Sequence, residues 1–251
     1  MGKIIATHSF RGGTGKSNII ANLAACLAAR GNKVAVIDLD IQSPGIHVIL
    51  GLQGDSIKRA LNDYLLDGCP IEEIVYNVGD NLDLRGGQLL LIPSSMQLGQ
   101  ISKILKQGYS VALMSSGIRQ LVKTLNLDFL LIDTHPGLNE ETLFSFTVSD
   151  IVFVVFRPDS QDYQGTSLTL EATKRLRVPT SLIVNNIPSS LDPAEVKAVA
   201  EEVYDTPVAA TIPHCQELMD IASSELIFLK APEHPFSRKI AEIGIMVTEG
   251  G

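Results

Sequence analysis

Cysteine is scarce in this 251-residue chain. The three present, Cys26, Cys69 and Cys215, lie far apart, and no C-x-C or C-x-x-C pair occurs. That pattern argues against a zinc site of the usual spacing and against a disulfide framework, and it fits a reducing, cytoplasmic compartment. Positive charge is also short. Twenty lysines and arginines against 28 aspartates and glutamates leave a formal net charge of -8. Broad binding to DNA or to an anionic membrane surface needs a concentrated positive face, which this balance does not support. The densest basic stretch, TKRLR from Thr173 to Arg177, reads as a solvated helix face. No apolar run reaches the ~18 residues of a membrane-spanning helix, so no integral membrane segment is expected. The longest run, DIVFVVF, has the length of a strand. Met1 to Ala6 is too short for the apolar core of a secretory signal. Long polar tracts that would mark disorder are missing, and so is any repeat at a solenoid period.

What the chain does have is apolar material. Hydrophobic residues make up 45% of it, enough for a large core, and a single α/β domain over residues 1–251 is an ordinary size. Strand-like runs alternate with helix-like ones. The strands expected are KIIATH, KVAVIDLD (Lys33 to Asp40), LLLIP (Leu89 to Pro93), FLLID (Phe129 to Asp133), DIVFVVF (Asp150 to Phe156), SLIVNN (Ser181 to Asn186) and VAATI (Val208 to Ile212). Helices are expected after the first strand to about Arg30, over SIKRALNDYLL with Ile57, Ala60, Leu61 and Tyr64 on one face, over SGIRQLVKTL, and near Gln161–Leu176, Pro193–Val203 and Pro235–Met246. The strands are continuous apolar runs without polar alternation, the mark of strands covered on both faces. The alternation therefore predicts a doubly wound, mostly parallel sheet with helices on both faces. Ligands of such folds bind beyond the carboxyl ends of the strands. Polar residues collect there: Asp38 and Asp40, which are expected to point differently, Asp133, Asn185 and Asn186.

The stretch THSFRGGTGKSN carries the clearest chemistry. Gly12, Gly13 and Gly15 let the backbone curl so that successive N–H groups face an anion. The following helix adds its N-terminal N–H groups and the positive end of its dipole. Lys16 can reach β- and γ-phosphates, and the Ser17 hydroxyl can ligate Mg2+. Against the pattern G-x-x-x-x-G-K-[ST], Phe10 stands where the first glycine belongs, and Arg11 precedes the glycine pair.

RGGTGKS resembles the variant loop K-G-G-x-G-K-[ST] of the MinD/ParA-like P-loop ATPases, differing at its first position. Further segments resemble that family in order: VIDLDIQSPG (Val36 to Gly45), LIDTHPGL (Leu131 to Leu138), LIVNNIP (Leu182 to Pro188), IPHCQELMDIA (Ile212 to Ala222) and APEHPFSRKIAEI (Ala231 to Ile243). The resemblance spans essentially the whole chain. It implies ATP or ADP held by Gly12, Gly13, Thr14, Gly15, Lys16, Ser17 and Asn18, with Gly137 approaching the γ-phosphate. It implies Mg2+ supported by Ser17, Asp38 and Asp133. Asp40 would position or activate the attacking water, as phosphoryl transfer is catalysed mainly by positioning and charge neutralisation. Asn185 would read adenine through its amide, and Pro213 would line the other side of the base. Arg11, where the family has a lysine, would cross an ATP-dependent homodimer and touch the partner's phosphates. His135 lacks a second residue to orient it as a base and reads as a loop histidine on a switch.

The function implied is an Mg2+-dependent ATPase that closes as a dimer, is recognised by a partner or activator protein, and positions or partitions a cargo. Neither device of the best-marked branches stands out. The chain ends IAEIGIMVTEGG, without the basic face of a membrane-binding helix, and the charge gives little to DNA. The alternatives are a metal- or iron-sulfur-handling relative, for which the cysteines are poorly placed, and a nucleotide-dependent regulator that does not turn over.

Overall fold

The computed structural model describes residues 2–80, 82–216 and 225–249. Eight strands form one sheet in the order β3-β4-β2-β5-β1-β6-β7-β8. They are β1 (Lys3–His8), β2 (Lys33–Leu39), β3 (Tyr76–Asn77), β4 (Gln88–Ile92), β5 (Phe129–Thr134), β6 (Ile151–Phe156), β7 (Thr180–Ile187) and β8 (Val208–Pro213). Every pairing is parallel except the two-residue β3 against β4. The doubly wound, mostly parallel sheet read from the sequence is the architecture observed.

Successive side chains on each strand feed opposite layers. Ile4 and Ala6 of β1, Ala35 and Ile37 of β2, and Leu130 and Ile132 of β5 join one core. Their neighbours Ile5, Val34, Val36, Phe129 and Leu131 join the other. The second core is closed by α1 (Lys16–Ala28), whose residues from Ile19 to Ala28 are all buried, and by α10 (Pro235–Glu249). The first is covered by α3 (Leu61–Asp67), α5 (Val111–Thr124), α6 (Glu140–Thr147), α7 (Ser160–Leu176) and α8 (Pro193–Tyr204). The remaining described α-helices are α2 (Ile46–Ile49), α4 (Leu98–Gln107) and α9 (Ile227–Lys230).

Two expected helix starts need correction. The helix read from Ser56 begins only at Leu61. The Tyr76 hydroxyl accepts the N–H groups of Lys58 and Arg59, Asp63 Oδ2 accepts that of Ala60, and the Pro93 carbonyl accepts that of Leu61. Those donors are spent outside a helix, so Ile57 and Ala60 precede the first turn. The helix around SGIRQLVKTL starts earlier, at Val111, where Ser110 accepts the Leu113 N–H as its cap. α2, α4, α6, α9 and β3 have no counterpart among the expected elements.

Candidate functional site

β1, β2 and β5 lie side by side, and their carboxyl ends open onto one cavity. The loop after β1 turns through Gly13 at φ +77° and Gly15 at φ +88°, backbone that favours glycine. Gly15 caps α1 without a side chain, and the first turn of α1 carries no acid. With no side chain or acid competing there, the helix start and the positive end of its dipole can serve an outside anion. The cavity measures about 320 Å³ and is lined by Ser9, Gly12, Gly13, Thr14, Gly15, Lys16, Ser17, Asn18, Asp40, Gly45, Ile49 and Pro136. That volume falls within the roughly 300–1,000 Å³ of small-molecule sites.

Behind the loop lies a charged cluster. Asp38 on β2 and Asp133 on β5 are register partners, and both are buried. Lys16 Nζ donates to Asp133 Oδ1 at 2.7 Å, with side chains only 6% and 2% exposed. Burial raises the Asp38 carboxyl well above its ordinary range, and the adjacent Asp133 charge adds to the rise. Asp38 Oδ1 accepts the Asp40 N–H at 3.0 Å, whereas Oδ2 is buried without a partner. An orphaned carboxylate oxygen, a second buried carboxylate and the Ser17 hydroxyl at the cavity form a hard-oxygen donor set that suits Mg2+. Strand alternation alone would set Asp38 and Asp40 on one face. They diverge because β2 ends at Leu39 and the chain turns there.

The segments after β2 and β5 meet. His135 Nδ1 donates to Asp40 Oδ1 at 2.7 Å, and the same oxygen accepts the Ser43 N–H at 3.1 Å. His135 thus has the orienting partner that the sequence reading denied it. Nearby, burial raises the Glu141 carboxyl, which the His135 charge opposes and the Asp40 charge reinforces. Gly137, at φ +86°, donates its N–H to the Ser9 carbonyl at 3.2 Å. That bond ties Gly137 to the loop after β1.

Arg11 lies along the start of α7. Its guanidinium donates to Gln161 Oε1 and stands 4.0 Å from Asp162 Oδ1, with 41% of the side chain exposed. Phe10 packs on the same helix at Gly165, where a Cβ would fall 2.2 Å from the ring. Asn185 is seated beneath the loop. Its Nδ2 donates to the Thr14 carbonyl at 2.7 Å, and its Oδ1 is buried without a partner. Pro213 is exposed at the end of β8, outside the cavity lining. The segment read from Ile212 to Ala222 lies outside the described residues from 217 onward. Cys26 is sealed between α1 and α10, 2.9 Å from where a Cβ on Gly244 would sit, while Cys69 and Cys215 are partly exposed.

His8, the last residue of β1, is fully buried against the edge of Phe146. Thr134 Oγ1 donates to the Thr7 carbonyl, so it accepts from His8 Nδ1 at 2.9 Å. His8 Nε2 is left without a partner. Burial first, then the charges of Lys16 and His135, lower the His8 pKa from 6.5 to about 3. The unfolded chain therefore takes up a proton here that the folded chain refuses. Below pH 6.5, down to about 3, this residue withdraws stability as the pH falls, by ~1.4 kcal/mol per pH unit. Asp38, whose carboxyl is raised, acts in the opposite sense. Comparing His8→Asn with the native chain isolates the histidine: urea midpoints of the variant should fall less steeply from pH 6 to 4, and parallel curves would refute this.

The sequence matches the AAA domain family over residues 2–184. An uncharacterized ATP-binding protein of Methanocaldococcus jannaschii is 30% identical over 241 residues, covering 95% of this chain and 85% of that protein. The cell division ATPase MinD of Pyrococcus furiosus superposes with a TM-score of 0.83 at 22% identity, over 100% of both chains. The septum site-determining protein MinD of Pyrococcus horikoshii, solved with Mg-ADP, superposes with a TM-score of 0.80 at 21% identity, over 98% of this chain and 96% of that one.

Proposed function

The chain belongs to the MinD/ParA-like P-loop ATPases, and from that premise we propose that it is an ATP-driven dimerisation switch that positions or partitions an intracellular cargo. The observation that carries this reading is the convergence of the phosphate cradle, Lys16, Asp38, Asp133 and Asp40 at the ends of three adjacent strands. The N–H groups of Gly12 to Asn18 bind the phosphates. Lys16 exchanges Asp133 for the β- and γ-phosphates when nucleotide arrives. Ser17, Asp38 and Asp133 would hold Mg2+, which would supply neutralisation of charge on the phosphates. Asp40 orients the attacking water at the mouth of the cavity. Gly137 releases the Ser9 carbonyl and turns its N–H to the γ-phosphate, which makes the segment after β5 a nucleotide sensor. Arg11 leaves Gln161 and Asp162 to reach the partner subunit's nucleotide. Its planar fork suits a bidentate grip on phosphate. Asn185, beneath the loop, would read the base through its amide, and Pro213 would line the base's other side. The names of the MinD relatives, cell division and septum site determination, favour a spatial task.

Size-exclusion chromatography with ADP, ATP and a slowly hydrolysed analogue tests this. Asp40→Ala should accumulate as a dimer with ATP and not with ADP. A monomer in every state would sink the switch. If Arg11→Ala, introduced into Asp40→Ala, still dimerised fully and Arg11→Ala alone hydrolysed ATP normally, the trans contact would be wrong.

A further inference from the structure

One hydrogen bond at the site has no role in the reaction described above. His135 follows β5, Asp40 follows β2, and these strands are neighbours. A carboxylate only accepts, so the shared proton resides on His135 Nδ1, 2.7 Å from Asp40 Oδ1. The Ser43 N–H converges on the same oxygen at 3.1 Å. Both donors use Oδ1 and leave Oδ2 to other partners.

An Asp–His pair divides its labour in one of two ways. The acid can orient the imidazole, whose second nitrogen then takes a proton from the nucleophile. That requires the imidazole to reach the reacting atoms. Alternatively the imidazole orients the acid. Here the cavity is lined by Asp40 and by Pro136, and His135 is not among its lining residues. The acid faces the reaction and the imidazole supports it.

We propose that His135 is a positioning residue whose Nδ1–H fixes the Asp40 carboxylate so that Oδ2 meets the attacking water. This rests on the reading of Asp40 as the residue that places that water. The terminal torsion of an aspartate is broad, so an unsupported loop carboxylate swings through a range of orientations. Two donors on Oδ1 remove that freedom. The same bond joins the segments that follow β2 and β5.

The test uses single-turnover ATP hydrolysis and equilibrium ATP binding by the full chain. Asparagine sets its amide nitrogen where histidine has Nδ1, and glutamine sets its own where histidine has Nε2. His135→Ala should slow hydrolysis on the order of 10- to 100-fold while leaving ATP affinity within about 3-fold. His135→Asn should recover most of the rate, and His135→Gln should not. A long-range 1H–15N spectrum of the native chain should show His135 protonated at Nδ1, with that signal displaced in Asp40→Ala. An unchanged rate in His135→Ala, or equal rescue by both amides, overturns the positioning role while Asp40→Ala remains inactive. If Asp40→Ala hydrolyses ATP at the native rate, the reading of Asp40 falls and this inference with it.

Discussion

Replacing Lys16 with methionine should destabilise the free protein as well as weaken its ATP binding. The usual account of a loop lysine concerns only phosphate. Here the ammonium is buried 2.7 Å from Asp133, and Asp133 is the register partner of buried Asp38. Lys16 pairs with Asp133 directly, and Asp38 places a second buried acid beside the pair. Removing Lys16 leaves an unpaired buried charge beside a second acid, a change worth ~3–5 kcal/mol. In a chain of this size that is roughly 6–20 °C in Tm. Lost phosphate contacts should also weaken ATP binding roughly 10- to 100-fold. The double variant Lys16→Met, Asp133→Asn separates the two effects. It removes the unpaired charge, so stability should return in large part while ATP binding should not. Urea unfolding without nucleotide decides the matter. A midpoint for Lys16→Met that matches the native chain would show that the ion pair contributes nothing.

Features set by short stretches of sequence were legible before any coordinates. The strands announce themselves because a strand covered on both faces must be apolar throughout. The phosphate cradle does so because its glycines, Lys16 and Ser17 are contiguous and sit between a strand and a helix. The aspartates are recognisable because strand ends are where this architecture presents polar groups. What stayed hidden depends on residues remote in the chain. Ile57, Ala60, Leu61 and Tyr64 have helical spacing, yet the first turn is withheld by Tyr76 and Pro93. The apolar residues of α4 were a usable helix signal, but they are divided: Ile104 is in the core, whereas Leu98 is 78% and Leu105 53% exposed. His135 looked unsupported because its partner, Asp40, belongs to another strand end. No local pattern could have found Gly165, because its role is defined by a ring near the other end of the chain.

Gly165→Ala should reverse the ordinary gain of adding a methyl group to a helix. In an exposed helix interior alanine is better than glycine by ~1 kcal/mol. Gly165 is buried in α7, and a Cβ there would lie 2.2, 2.3 and 2.6 Å from Cδ1, Cγ and Cβ of Phe10. Contacts that short do not survive. The nearest atoms include the Phe10 Cβ, which is fixed to the backbone, so turning the ring cannot relieve them all. The segment entering the phosphate cradle must move, and Ser9, which accepts the Gly137 N–H, must move with it. Overpacking of this kind costs ~1–3 kcal/mol, which outweighs the propensity gain. ATP affinity should fall with it, because Gly12 and Gly13 follow Phe10 directly. Adding Phe10→Ala should relieve the clash, so the double variant should be more stable than Gly165→Ala alone, a coupling that a double-mutant cycle in urea measures. If Gly165→Ala proved at least as stable as the native chain and bound ATP equally well, the packing argument would fail. If the coupling is found, the departure of Phe10 from the phosphate-loop pattern has a physical cause. A glycine on α7 leaves room for a ring, and the ring anchors the loop where the common pattern relies on a glycine of its own.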